Sequence, residues 1–396
     1  MNRIIIYKIQ EKITVHSFYM LLILFIFFSL YSCITPFEPE IDEGVQYLNI
    51  DGSIVKGRDI QKIVVSRSTS INERSFNPVE GCNVVVIDDT GVRFEFTDDE
   101  KGVYTAEIND NDLQFNKSYK LQVTTPSGDV YESQYEKLNE NPPVDSVYYI
   151  TETKYSIEDD EDIKGLQFYI DLKASENEPR YYRWNIVETW EYHARYPIDK
   201  YFDGENVYWF PNYDSLYYCY STDGVDGLFS SSTINLQKNE KKKIHLHFVS
   251  GNTTKLSVKY SILVRQYSLS EGAYNYWNQK KIDLMESNGM YTTQPAQSIS
   301  NFKNINNPNE IILGYFWASS ETQKRIFFRG PFEGYFKWGC ELDTFKIEEY
   351  WERNIIVYIQ YDPILSINYT TDNYCFDCRE SGGSIEKPDF WDNDEQ

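Results

Sequence analysis

The stretch NVVVIDDTGVRFEFTDDEKGVYTAEI, residues 83–108, carries the reading of the fold. Asn83–Asp88, Arg93–Thr97 and Gly102–Ile108 are short runs of β-branched and aromatic residues. Asp89-Thr90-Gly91 separates the first two with the residue types that tight turns need. Runs this short, punctuated this often, predict antiparallel strands joined by hairpins. Working outward, further strands are predicted at Tyr47–Val55, Lys62–Arg67, Tyr119–Thr125 and Val130–Glu136, with turn signals at Asp51-Gly52, Asp110 to Asp112 and Pro126 to Asp129. Seven short strands at this spacing predict an immunoglobulin-like β-sandwich over residues 46–138.

Asn139-Glu-Asn-Pro142-Pro143 interrupts the pattern, and the tandem proline favours an extended linker, placed at 139–145. Residues 146–396 are predicted to form a larger β-rich domain, with strands at Val147–Thr153, Leu166–Ala174, Tyr181–Tyr192, Lys243–Val249, Leu256–Tyr267, Glu310–Ala318, Arg325–Arg329 and Asn354–Gln360. Ser268-Leu-Ser-Glu271 reads as a capping box, and Ala273, Trp277 and Leu284 follow at helical spacing. One amphipathic helix is therefore expected over Leu269–Asn288, ahead of Gly289. The expected fold class is mainly β, a sandwich followed by a β-rich domain that carries one helix. The polar tail Asp389–Gln396 is expected to fray.

The N-terminus points to export. Arg3, Lys8 and Lys12 precede the apolar run Phe18 to Leu30. That run has 13 residues, shorter than the roughly 20 that a bilayer span needs. Residues 1–32 are therefore read as a cleaved signal peptide. Leu30-Tyr31-Ser32-Cys33 resembles the lipobox of bacterial lipoproteins, although Tyr31 is bulkier than the usual residue at that place. The resemblance implies acylation of Cys33, and two or more acyl chains hold a protein stably at a bilayer. Residues 33–45, with two prolines and four acids, read as a tether. Removing residues 1–32 takes away three basic residues and one acid, so the net charge of −23 becomes −25. A body this acidic disfavours nucleic acid and repels anionic headgroups.

The motifs for chemistry are sparse. No G-x-S-x-G, H-E-x-x-H, P-loop or dinucleotide fingerprint is present, and a non-enzymatic role with no cofactor is expected. Paired carboxylates for hydrolysis stay open, since 60 acids remain after processing. His245-Leu-His247 in a strand puts two rings on one face, short of the third ligand that a metal site needs. The acidic run over 157–164 lacks the order of a calcium loop and reads as solvated. Cys375-Phe-Asp-Cys378 is read as a local disulfide, with a pairing of either cysteine to Cys219 or Cys340 left open. With Cys33 acylated, five thiols remain and at least one stays unpaired. The stretch 196–222 crowds Tyr201, Phe202, Tyr208, Trp209, Phe210 and Tyr213 into an expected loop. Large rings there suit stacking on a sugar, anchoring a partner protein, or folding back on the core.

Several segments match one family. Asn77-Pro-Val-Glu-Gly-Cys-Asn-Val84, Pro142-Pro-Val-Asp-Ser-Val-Tyr148 and Leu263-Val-Arg-Gln-Tyr-Ser-Leu-Ser270, with Ala273-Tyr274 and Trp277, resemble the domain-of-unknown-function 4249 family of Bacteroidota outer-membrane lipoproteins. So do Asn307 to Glu310, Leu313 to Phe316, Ala318 to Ser320, Cys375 to Cys378 and Lys387 to Trp391. The resemblance implies an accessory role beside a TonB-dependent outer-membrane receptor in the uptake of a nutrient, a glycan or a peptide, and no catalytic residue. It leaves the periplasmic and the cell-surface face of the outer membrane both open. A structural or assembly lipoprotein binding only envelope proteins is the first rival, and a surface hydrolase the second.

Overall fold

The structure is a computed structural model that describes residues 46–69, 75–156, 160–212, 214–287, 300–333, 339–351 and 355–392. The expected signal peptide, Cys33, the expected tether, Tyr213 and residues 393–396 of the expected polar tail lie outside the described residues. Nine strands come first: β1 (Leu48–Lys56), β2 (Ile60–Arg67), β3 (Asn77–Pro78), β4 (Asn83–Asp88), β5 (Arg93–Asp98), β6 (Val103–Glu107), β7 (Ser118–Thr124), β8 (Val130–Ser133) and β9 (Glu136–Lys137). They are followed by β10 (Ser146–Ser156), β11 (Glu161–Lys173), β12 (Tyr181–His193), β13 (Lys200–Phe202), β14 (Val207–Trp209), β15 (Tyr218–Gly224), β16 (Phe229–Ser232), β17 (Glu240–Ser250) and β18 (Lys259–Ser268). After helix α1 (Glu271–Ser287) come β19 (Phe302–Asn304), β20 (Ile312–Leu313), β21 (Phe316–Arg329), β22 (Asp343–Thr344), β23 (Val357–Asp362) and β24 (Ile367–Thr370). The protein is mainly β with one long helix.

The first core lies between β1–β2–β6 and β4–β7–β8. In β7, Tyr119, Leu121 and Val123 alternate inward while their neighbours face out, and they meet Ile50, Ile54, Ile63 and Val65 from the opposing layer. Each such burial stabilises by about 1.5–3 kcal/mol. This sandwich is not finished by residue 138. Phe302, Ile312, Phe316 and Ala318 belong to the same core, β19 extends the sheet beside β8, and β20 and the start of β21 pair in parallel with β1. Gly314 separates β20 from β21 inside the expected strand 310–318. It sits at φ +92, and a Cβ there would lie 2.1 Å from the carbonyl oxygen of Ile50, so only glycine lets the chain pass that closely.

The second core lies between β10–β11–β17 and β15–β12–β18–β21. Leu166, Phe168 and Ile170 of β11 face Tyr182, Trp184 and Ile186 of β12 and Ile262 and Val264 of β18. The two sandwiches share β21. Phe316–Ser320 pairs with β1, and Glu321–Arg329 continues as the antiparallel partner of β18. Residues 46–396 consequently form one compact unit. The expected linker at 139–145 is extended but packed. The Asn141 amide donates to Ser320 Oγ at 2.9 Å, and the Pro142 carbonyl accepts from Gln266 and Thr322, both at 2.9 Å.

Helix α1 covers the junction of the sandwiches. Ala273, Tyr276 and Trp277 pack on Val55, Tyr267, Tyr315 and Trp317. The Arg183 guanidinium lies 3.7 Å from the Trp277 ring centre, and the Tyr276 hydroxyl donates to Asp51 at 2.9 Å. The cap is Ser270, whose Oγ accepts from the Ala273 amide at 3.1 Å. Ser268, expected to open a capping box, instead ends β18 with its amide bonded to Ser319 Oγ. The tail expected to fray is anchored by Trp391, which is 1% exposed and donates from Nε1 to Glu191 at 2.8 Å. Leu256, expected to begin a strand, closes a short 3-10 turn, and β18 starts at Lys259.

Register orders the molecule along one axis. β1 runs from Leu48 toward Lys56 in parallel with β21, which continues to Arg329, opposite Lys259. Lys259 also pairs with Glu191 at the end of β12. The chain thus enters the described unit at Gln46 near one pole, and β12, β18 and β21 converge at the other. At 3.3 Å per residue the separation along the strands is at most about 55 Å.

Candidate functional site

Beyond the β12–β18–β21 pole stands a five-stranded sheet, ordered β14-β13-β23-β24-β22. The stretch expected as an aromatic loop forms a hairpin there, with Lys200 opposite Trp209, Tyr201 opposite Tyr208 and Phe202 opposite Val207. Period-two alternation divides its rings between two faces. Phe202 is fully buried with Val357 and Ile359, beneath Phe345, Ile347 and Tyr350. On the other face Tyr201 packs on Tyr208 and Phe210, which reaches Tyr358, so these rings fold back on a small core. Trp209 remains 66% exposed and Tyr208 45%. Trp209 meets Tyr361 edge to face at 5.7 Å. The Lys200 ammonium lies 3.5 Å from the Tyr361 ring centre and 4.6 Å from that of Trp209, and donates to Asn368 at 3.1 Å. The indole is therefore oriented by the protein's own cation.

The tip of the β23–β24 hairpin was not singled out from sequence. Its signal is Asp362-Pro-Ile-Leu-Ser366 between two alternating runs, a turn pattern with apolar residues where polar ones are usual. Asp362 Oδ1 accepts from the amides of Ile364 (2.8 Å) and Leu365 (3.0 Å), and Ser366 adopts φ +57. The turn is thus fixed while Ile364 and Leu365 stand 90% and 60% exposed.

Two disulfides brace this end. Cys375 and Cys378 do not pair with each other. Cys340 joins Cys375, and Cys219 of β15 joins Cys378. The reason is local geometry. The two cysteines sit in successive 3-10 turns, where Cys375 O accepts from the Tyr196 amide and the Cys378 amide donates to Leu216 O, so each is held to a different segment of the chain. Among the described residues Cys82 is the one cysteine outside a disulfide. It is buried beside Tyr104, and burial pushes its pKa up, which suppresses thiolate reactivity.

His245 and His247 have different partners. A one-residue irregularity in the β11–β17 register falls beside them. The His245 ring packs 4.8 Å from Tyr169, whereas His247 Nε2 lies 3.5 Å from Glu188. Glu188 also accepts from Lys255 and from the Tyr260 hydroxyl at 2.9 Å. Burial alone would raise its pKa, but His247 and Lys255 override that and bring it down to about 2. Among the described residues no group of three or more His, Cys, Asp or Glu is placed to hold a metal, and no helix is long and apolar enough to cross a membrane. The acidic run expected as a loop over 157–164 is already strand from Glu161 onward.

No curated protein matches the chain. Among solved structures, the Yersinia pseudotuberculosis adhesin InvE is similar at TM-score 0.15 and 14% identity, over 56% of this chain and 55% of that one, a likeness too slight to bear on fold or function. A family model described as "Domain of unknown function (DUF4249)" matches residues 34–325, which ends within β21 and leaves the Ile364–Leu365 tip outside the matched span. With well over half of its length matched, the chain belongs to the DUF4249 family.

Proposed function

We propose that the protein is a non-enzymatic accessory lipoprotein of the bacterial outer membrane that docks through its distal sheet onto a TonB-dependent receptor and assists nutrient uptake. The observation that carries this reading is the fixed apolar tip, Ile364 and Leu365, rising from Tyr361 beside exposed Trp209. A monomer gains nothing from leaving two aliphatic side chains on a rigid turn, and an indole on the neighbouring hairpin, in water, whereas such clustered anchors supply most of the energy of a protein interface. Sequence supplies the rest: the lipobox at Cys33 and the tether that joins the folded unit at Gln46, the pole away from the tip. A purely structural envelope role draws on the same tip, and the partner recovered separates the two readings.

The test is native purification of the detergent-solubilised lipoprotein. Co-purification of a TonB-dependent receptor, lost in the Ile364→Asp/Leu365→Asp variant with membrane attachment intact, is the expected result. Retention of the receptor by that variant, or a Cys33→Ala form that still sediments with membranes, would overturn the proposal.

A further inference from the structure

A cavity of about 450 Å³ opens between the turn Asp226–Phe229, the His245–Phe248 stretch of β17 and the exposed end of α1 at Lys281 and Leu284. That volume falls within the range of small-ligand pockets, roughly 300–1,000 Å³. Phe229, Phe248 and Leu284 supply the apolar part of the lining. Gly227 makes the Phe229 floor: at φ +154 it presses against the ring, and a Cβ would lie 2.9 Å from its edge. The same lining carries charge of both signs. Asp226 and Lys281 both line the cavity, and among the described residues neither has a hydrogen-bond or ion-pair partner. His247 is committed to Glu188, while His245 keeps its ring nitrogens free of any carboxylate among the described residues.

An unpaired cation and an unpaired anion in one lining with apolar side chains match a zwitterion with an apolar body. We propose that this cleft binds a short apolar peptide with free ends. Its carboxylate is held by the Lys281 ammonium with His245 beside it, its amine by Asp226, and an aliphatic side chain by Phe229 and Phe248. A neutral sugar fits less well, because it would leave both charges unpaired while desolvating them. The inference stands apart from docking at the distal tip, since no residue is common to the two surfaces.

Titration calorimetry on the full chain tests it, with trileucine, N-acetyl-trileucine, trileucine amide and maltotriose as probes. Free trileucine is expected to bind saturably, and Lys281→Met to weaken it about tenfold, the effect of losing one charge-assisted hydrogen bond. The same substitution is expected to leave trileucine amide unaffected, and Asp226→Asn to leave the N-acetyl form unaffected. Both positions are outside the cores, and unchanged circular dichroism verifies the fold. Absence of saturable trileucine binding, binding indifferent to both substitutions, or preference for maltotriose would overturn the assignment. The Ile364→Asp/Leu365→Asp variant must bind trileucine as the parent does, so failure of one proposal leaves the other standing.

Discussion

Glu188 is a carboxylate almost without solvent, ringed by Lys255, His247 and Tyr260. Its displacement from the ordinary 4.5 to about 2 corresponds to roughly 3 kcal/mol of differential stabilisation. The folded-state pKa is depressed, so this stability is fully present above about pH 4.5 and is lost as the pH falls toward 2. Glu188→Gln is accordingly expected to cost about 3 kcal/mol in urea unfolding at pH 7. The difference from the parent should shrink steadily below pH 4.5. A constant difference down to pH 2.5 would show that the ion network does not carry that stability. The sequence names Glu188 as one of many acids, and nothing local marks it. Its partners come from β17, β18 and the short turn after β17, brought together only by the facing of two sheets.

At the scale of elements, the helix was legible and its start was misread by two residues. Ser268-Leu-Ser-Glu271 satisfies the capping-box pattern, but β18 holds Ser268 in the sheet against Ser319, so the first residue free to turn is Ser270. Ser270→Ala is therefore expected to cost about 1 kcal/mol through loss of the cap, measured by thermal unfolding. A loss at Ser268→Ala with none at Ser270→Ala would return the cap to the earlier position. The hairpin of β13 and β14 shows the same kind of outcome. Phe202 and Phe210 are spent on two small cores, Tyr201 packs on Phe210, and among the described rings of that stretch's candidates Tyr208 and Trp209 stay at the surface. Aromatic density marked the segment, but pairing with β23 decided which rings face water.

For the whole molecule, the decisive element is the shared strand β21. Because Phe302, Ile312, Phe316 and Ala318 complete the first core, a fragment of residues 46–145 is expected to remain unfolded alone, with poorly dispersed amide resonances and no cooperative unfolding transition. A fragment that folds with native dispersion would show that β19, β20 and β21 are ornaments on an autonomous sandwich. Cys219–Cys378 spans 159 residues and ties the C-terminal segment back to β15, so the last part of the chain closes the unit as the first part opens it.

The sequence by itself determined the β-rich class, most strand positions, the one long helix among the described residues, and the family, through motifs spread along the chain. These are local properties, set by alternation, turn chemistry and propensity over a few residues. Only the tertiary structure decided that the two sandwiches share a strand, that Cys375 and Cys378 pair elsewhere, that Lys200 sits against Trp209 and Tyr361, and that Asp226 and Lys281 flank one cleft. Each depends on segments from dozens to hundreds of residues apart meeting across a sheet or a core. Alternation tells a side chain which face it occupies, and carries no information about which distant segment will cover that face.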